Sequence, residues 1–310
     1  MLISNIRSAI LPGTPRDPTG ASRLERSAMK EFGKRIRQIN REYIRVLKTI
    51  PSRPVINKKY VFLIDATLIE AVYSNLDSIV NSILLGRSER ENWFLNEYVE
   101  TAYQRGTAQS YSNLSAQSVS YRADVGELRD LLRSPPYARR IALVRSRSFE
   151  EMKNLSGEVK ADMGRILADG VGRGLNPRDI SRNLTEQSGI EERRANKIAR
   201  TEVNTALRRA RWDEDEEAAE RYGLVGKELH LSALSPTTRP THAARHGRLY
   251  SVDQVRDWYS EDGNSINCKC SQTFILLGDD GEPLVPSIVE RARKTKQLMK
   301  KTSPGAWARG

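Results

Sequence analysis

Leu224-Val225-Gly226-Lys227-Glu228-Leu229-His230-Leu231 decides the fold class. Apolar and polar residues alternate in part along it, and it reads as a β-strand. A Ser/Pro/Thr-rich loop follows. Ser271-Gln272-Thr273-Phe274-Ile275-Leu276-Leu277 then reads as a second strand, closed by the turn signal Gly278-Asp279-Asp280-Gly281. Upstream of Gly223 the pattern is helical. Phe32, Ile36, Ile39, Tyr43, Val46 and Ile50 recur at steps of three and four in Ser22–Ile50, and Pro51 and Pro54 stop that helix. Further helices are expected over residues 66–85 and 89–119. Ser134-Pro135-Pro136 breaks the chain, and a short basic helix is expected over 137–147. Ser148 and Glu151 have capping-box spacing, so a new helix is expected from Ser148 to Gly170. Asn176-Pro177 fits a helix start reaching about Gly189. The last long helix is expected over 191–222, with Ala195, Ile198, Ala199, Val203, Ala206 and Ala210 as its stripe. The expected class is α+β and predominantly α-helical: a helical N-terminal half, then a small α+β module with a short sheet.

The chain has 310 residues, with 51 Lys and Arg against 39 Asp and Glu, a net charge of +12. The charge is uneven. Residues 1–60 carry +10 and residues 285–310 carry +6, which leaves −4 on the residues between. Four regions are therefore expected: a basic arm and helix (1–60), a helical region (61–148), a module at 149–284 and a basic tail (285–310). The arm places Lys34, Arg35, Arg37, Arg41, Arg45 and Lys48 as candidate contacts to DNA or an acidic protein surface. Aromatics are 6% of the chain, too few for large stacking platforms on single strands. No apolar run approaches the ~20 residues of a membrane span, and the first twelve residues do not read as a signal peptide. Two cysteines suit a reducing compartment.

All three histidines and both cysteines lie between residues 230 and 270. His242 and His246 are four apart, and Cys268 and Cys270 flank Lys269. Together they can offer four ligands to a structural zinc that staples a module with little core of its own. The alternative is a hydrogen-bonded cluster in which the cysteines are small buried hydrophobes. Glu202 falls on or beside an apolar helix stripe and needs a partner there, with Arg239 and Arg245 as candidates. A zinc-dependent hydrolase or nuclease, with Glu202 as base and His242 as ligand, is the enzymatic alternative. A non-specific DNA-binding protein is a third reading. Asp213 to Glu217 reads as a solvated acidic face. No phosphate-cradling glycine loop and no Gly-x-Ser-x-Gly elbow occur.

Three blocks carry a family resemblance. Lys197-Ile198-Ala199-Arg200-Thr201-Glu202-Val203 resembles the Ile-Ala-Arg-Thr-Glu signature of the Mu F-like minor head proteins, the phage head morphogenesis family. Thr238-Arg239-Pro240-Thr241-His242 followed by His246-Gly247-Arg248-Leu249-Tyr250 is similar to that family's Arg-x-x-His block with its glycine and short strand. Asn267-Cys268-Lys269-Cys270 resembles its closing Asn-Cys-Arg-Cys, with Lys269 in the Arg position. The blocks occur in the family's order over roughly residues 150–280. The resemblance marks Arg200, Thr201, Glu202, Arg239, His242, Gly247, Asn267, Cys268 and Cys270 as its motif residues. It implies a non-enzymatic minor capsid protein of a tailed phage or prophage. Its implied partners are the portal protein and the major capsid or scaffolding protein, with phage DNA touched through the basic arm. Its implied place is the head interior or portal vertex of the virion, reached through the host cytoplasm during assembly.

Overall fold

The computed structural model describes residues 7–302 and 304–309. The chain is 68% helical, with one two-stranded and one three-stranded sheet, a predominantly helical α+β fold. Among the described residues no helix is long and apolar enough to cross a membrane. The chain divides into two compact units, each assembled from separated segments.

One unit comprises Arg26–Glu97 and Arg145–Ala199. It holds most of α1 (Ser22–Thr49), the hairpin of β1 (Ser52–Pro54) and β2 (Tyr60–Phe62), and α2 (Ala66–Leu84). Phe32, Ile36, Ile39 and Tyr43 are buried on one face of α1, while Phe32 meets Trp93 edge-on and Phe94 at a tilt, both at 4.9 Å. Asn92 joins two helix ends. Its amide donates to the Leu84 and Leu85 carbonyls, and its Oδ1 accepts from the Phe94 and Leu95 amides. This local cap divides the helix expected over 89–119 into a short 3-10 turn, a π-helical turn and α3 (Glu100–Gln117).

The other unit comprises Met1–Glu25, Tyr98–Val144 and Arg200–Gly310. After α3 come the short helices α4 (Val119–Asp124) and α5 (Leu128–Leu131). Two long helices contribute segments to both units: α6 (Pro135–Gly172) and α7 (Pro177–Tyr222). Both correct the sequence reading. Ser148 does not cap a helix but lies buried inside α6. It sits in step with Tyr137, Ile141, Val144, Met152 and Leu155, so the stripe runs through it. The expected break near Gly189 is also absent. The buried face of α7 passes through Ser188 and Glu191, two polar residues that a hydrophobic periodicity cannot register.

The strands β3 (Gly226–Leu231), β4 (Leu249–Tyr250) and β5 (Ser271–Leu276) form an antiparallel sheet in the order β4-β3-β5. Leu229, Leu231 and Ile275 pack with Ile288, Val289 and Ala292 of α10 (Ser287–Thr302). The basic C-terminal segment is thus largely a helix laid on the sheet, and not a solvated tail. Phe274 and Leu276 pack with Leu114, Tyr121 and Ala218. With both faces covered, β5 is buried along its whole length.

The acidic run at 213–217 is not a solvated face. Asp213 accepts from Tyr103 and Arg256, Glu214 from Tyr121 and Arg140, and Asp215 from the Ser110 hydroxyl. Asp215 also meets Glu228 of β3, and both are wholly buried. Burial pushes the Asp215 carboxyl up to about 6, opposed by Arg211 and Ser110. Burial and the neighbouring Asp215 charge push Glu228 well above the usual carboxylate range. The folded chain therefore holds protons that the unfolded chain releases near pH 4, and their stabilising effect is lost as pH rises through the raised values. Glu228→Gln keeps the neutral form at all pH values. Urea titrations from pH 4 to 7 should show the variant gaining on the wild type, by up to about 1.4 kcal/mol per pH unit. A difference that does not change with pH contradicts this.

Candidate functional site

Arg200 and Thr201 stand on α7, at the start of the stretch that faces the β module. The Arg200 guanidinium donates from Nη1 to Asn267 Oδ1 at 2.7 Å and from Nε to Glu25 at 2.5 Å. The Asn267 backbone amide donates to Thr201 Oγ1 at 2.9 Å. Asn267 adopts φ 56°, a left-handed conformation that Asn tolerates better than most residues. Glu25 is almost fully buried, and its carboxylate also accepts from Asn204 and pairs with Lys269, both at 3.2 Å. A buried carboxylate with three donors is satisfied; one that has lost them is costly. The first and third sequence blocks thus meet around Glu25.

The second block meets the third from the other side. Arg239 precedes the short helix α8 (Pro240–Arg245), which has Pro240 at its first position. Its guanidinium donates to the carbonyls of Gly263 at 3.1 Å, Asn264 at 2.9 Å and Ile266 at 3.2 Å. It therefore pins the loop that delivers Cys268. One turn into α8, His242 is buried, and its carbonyl accepts from the Ser232 hydroxyl. Its Nδ1 lies 3.4 Å from Cys268 Sγ and 3.5 Å from Cys270 Sγ. The Trp258 ring, on α9 (Val252–Ser260), meets the imidazole at 4.6 Å. Arg208 of α7 donates to the carbonyls of Cys268 and Cys270, and its guanidinium sits 4.3 Å from the Tyr259 ring centre. Both cysteines are free thiols. Burial pushes the Cys268 thiol up, but hydrogen bonds from Cys270 and His242 and the nearby Arg208 charge outweigh it, leaving it well below the usual thiol range. Cys270, donating to Cys268 and buried, is pushed the other way.

The structure does not bring His246 to this cluster. Its Nδ1 accepts from the Ser232 amide at 3.0 Å, and its Nε2 donates to the Ala292 carbonyl at 3.1 Å. Both nitrogens are spent, and burial lowers its pKa to about 4. Gly247 follows at φ 77°, where a Cβ would fall 2.9 Å from the Arg293 side chain, so glycine is required twice over. Glu202 is buried. The expected partners direct their described contacts elsewhere: Arg239 to the three carbonyls, and Arg245 onto the rings of Tyr250 at 3.6 Å and Trp258 at 4.5 Å. The described contacts of His242 are with Ser232, Trp258 and the two cysteines, and Glu202 is not among them.

Residues 161–273, which include all three blocks, match the family model described as Phage Mu protein F like protein. Over that segment the chain is similar to this phage head morphogenesis family. An uncharacterized protein of Haemophilus influenzae is 22% identical over 199 residues, covering 63% of this chain and 42% of that protein. The chain thus spans less than half the length of this relative. No solved structure matches the chain significantly.

Glu25, Arg208 and Tyr259 complete this site and carry no sequence signal for it. Glu25 sits in the first turn of a basic helix, and Arg208 lies among other arginines of α7. Glu25→Ala leaves Arg200, Asn204 and Lys269 without their shared acceptor. The variant should lose roughly 2–3 kcal/mol of stability, read as a lower urea midpoint at unchanged slope. A loss below about 0.5 kcal/mol, the usual effect of a surface substitution, would show that the carboxylate does not hold the blocks together.

Proposed function

We propose that this chain is a minor capsid protein of a tailed phage or prophage that acts in the head interior or at the portal vertex. It aids head assembly or DNA delivery by binding and not by turnover. The reading is carried by the Mu F-like match over 161–273. A second observation supports it: Arg200, Thr201, Arg239 and Asn267 of the matched blocks are engaged in hydrogen bonds that tie the module together. The portal protein is the principal partner, with the major capsid or scaffolding protein beside it. The chain reaches the virion from the host cytoplasm during assembly.

DNA contact falls to α1. This basic segment is no free arm, since its apolar face is buried. Arg26, Lys30, Lys34, Arg37, Arg41, Arg45 and Lys48 are exposed along it at steps of four, four, three, four, four and three residues. On a helix these steps make one stripe about 33 Å long, close to one turn of B-DNA. Arg35 stands apart from it, half-buried 3.7 Å over the Trp93 ring. Glu31, Glu42 and Glu192 pair with Lys34, Arg45 and Arg37, so the stripe is only partly neutralised.

Two measurements test this. Cross-linking mass spectrometry on assembled heads should link the chain to the portal protein, and links confined to other head proteins would overturn the portal assignment. Replacing Lys34, Arg41, Arg45 and Lys48 together by Gln should keep the fold. It should also flatten the dependence of log K on log salt for duplex DNA by up to about 0.9 per lost phosphate contact. An unchanged slope would remove DNA from α1.

A further inference from the structure

His242, Cys268 and Cys270 turn one imidazole nitrogen and two sulfurs toward a common point. The three atoms lie within 4.8 Å of one another, and all three residues are buried. The two nitrogen–sulfur separations are 3.4 and 3.5 Å. A tetrahedral zinc with its usual bonds of about 2.3 Å to sulfur and 2.1 Å to nitrogen sets that edge at about 3.6 Å. The donor set is also chemically apt: two thiols and an imidazole match zinc better than they match a hard cation.

The fourth position is what the fold leaves open. His246 is excluded from it, because both of its nitrogens are bonded elsewhere. No other His, Cys, Asp or Glu joins the cluster among the described residues. A cavity of about 290 Å³ is lined by these same three residues, and its other walls include Arg16, Arg200, Arg239 and Lys269. A zinc ion with two thiolates is neutral in sum. Among these, Arg200 and Lys269 share the buried Glu25 as their counter-ion, while the described contacts of Arg239 are backbone carbonyls, which carry no formal charge. The cavity therefore keeps a net positive field, and its guanidinium and ammonium groups are donors only. A three-ligand zinc facing such a space meets an anion, where a closed four-ligand site would meet none.

We propose that His242, Cys268 and Cys270 bind one zinc ion whose fourth position takes a small oxyanion, a phosphate or a carboxylate, from the cavity walled by Arg16, Arg200, Arg239 and Lys269. The site is independent of the head-assembly reading and needs no catalysis.

Cobalt substitution of the purified full-length chain tests it directly. One cobalt per chain should bind, with the thiolate charge-transfer absorption and the strong visible bands of a tetrahedral site. Inorganic phosphate or acetate should shift the visible bands in a saturable way. A response to phosphate alone assigns a tetrahedral oxyanion, and a response to acetate alone assigns a carboxylate. Lys269→Gln, a change on a partly exposed side chain, should keep the cobalt stoichiometry and weaken anion binding about tenfold. Cys268→Ser should weaken the charge-transfer band to at most the contribution of Cys270, with far-ultraviolet circular dichroism reporting whether the fold survives. Failure of the folded wild-type chain to take up cobalt through thiolate overturns the metal site. Visible bands that neither anion moves overturn the open fourth position.

Discussion

Charges buried along the C-terminal half of α7 set the terms for the unit that holds the β module. Arg208, Arg211, Glu214 and Asp215 are almost wholly removed from water. Each charge in such a place must find a partner or change its protonation, because burying it alone costs several kcal/mol. The surrounding elements supply those partners. β5 offers the hydroxyls of Ser271 and Thr273 to Arg211, while the loop before it offers the Cys268 and Cys270 carbonyls to Arg208. Tyr121 and Arg140 serve Glu214. The sheet is held against the helix by polar contacts as much as by its apolar side chains.

The three sequence blocks extend the same logic to the module's edge. Arg200 and Thr201 hold Asn267, and Arg239 holds the carbonyls just before it. Between these two grips the Cys268-Lys269-Cys270 segment is fixed from both sides and set against His242. Gly247 turns the chain so that its amide can donate to the His230 carbonyl on β3. The blocks lie far apart in sequence and converge on one loop.

Much of this was legible in the sequence. The α+β class followed from the alternation around Leu229 and Leu231, and α1 and α2 from unbroken apolar steps ended by Pro51 and Gly86. The blocks named most of the residues that meet at the site. The continuity of α6 and α7 was hidden because Ser148, Ser188 and Glu191 occupy buried positions on their stripes, and a polar residue there looks like a boundary. The burial of Glu214 and Asp215 was hidden for a related reason. Their partners Tyr121, Arg140 and Ser110 lie far away along the chain, and charge in a local window carries no sign of distant neutralisation. His246 was drawn toward the cysteines by its spacing from His242. The turn at Gly247 instead leaves it between the Ser232 amide and the Ala292 carbonyl.

Native-state amide hydrogen exchange on the full chain tests the central claim, that the buried end of α7, the sheet and the loop over 263–270 form one joint. The amides of α7 from Arg200 to Asp215, those of β3 and β5, and those of Asn267 and Cys270 should open together with one common free energy. Exchange of Asn267 and Cys270 at a free energy several kcal/mol below that of α7 and the sheet would contradict it, since the loop would then be an appendage and not part of the joint.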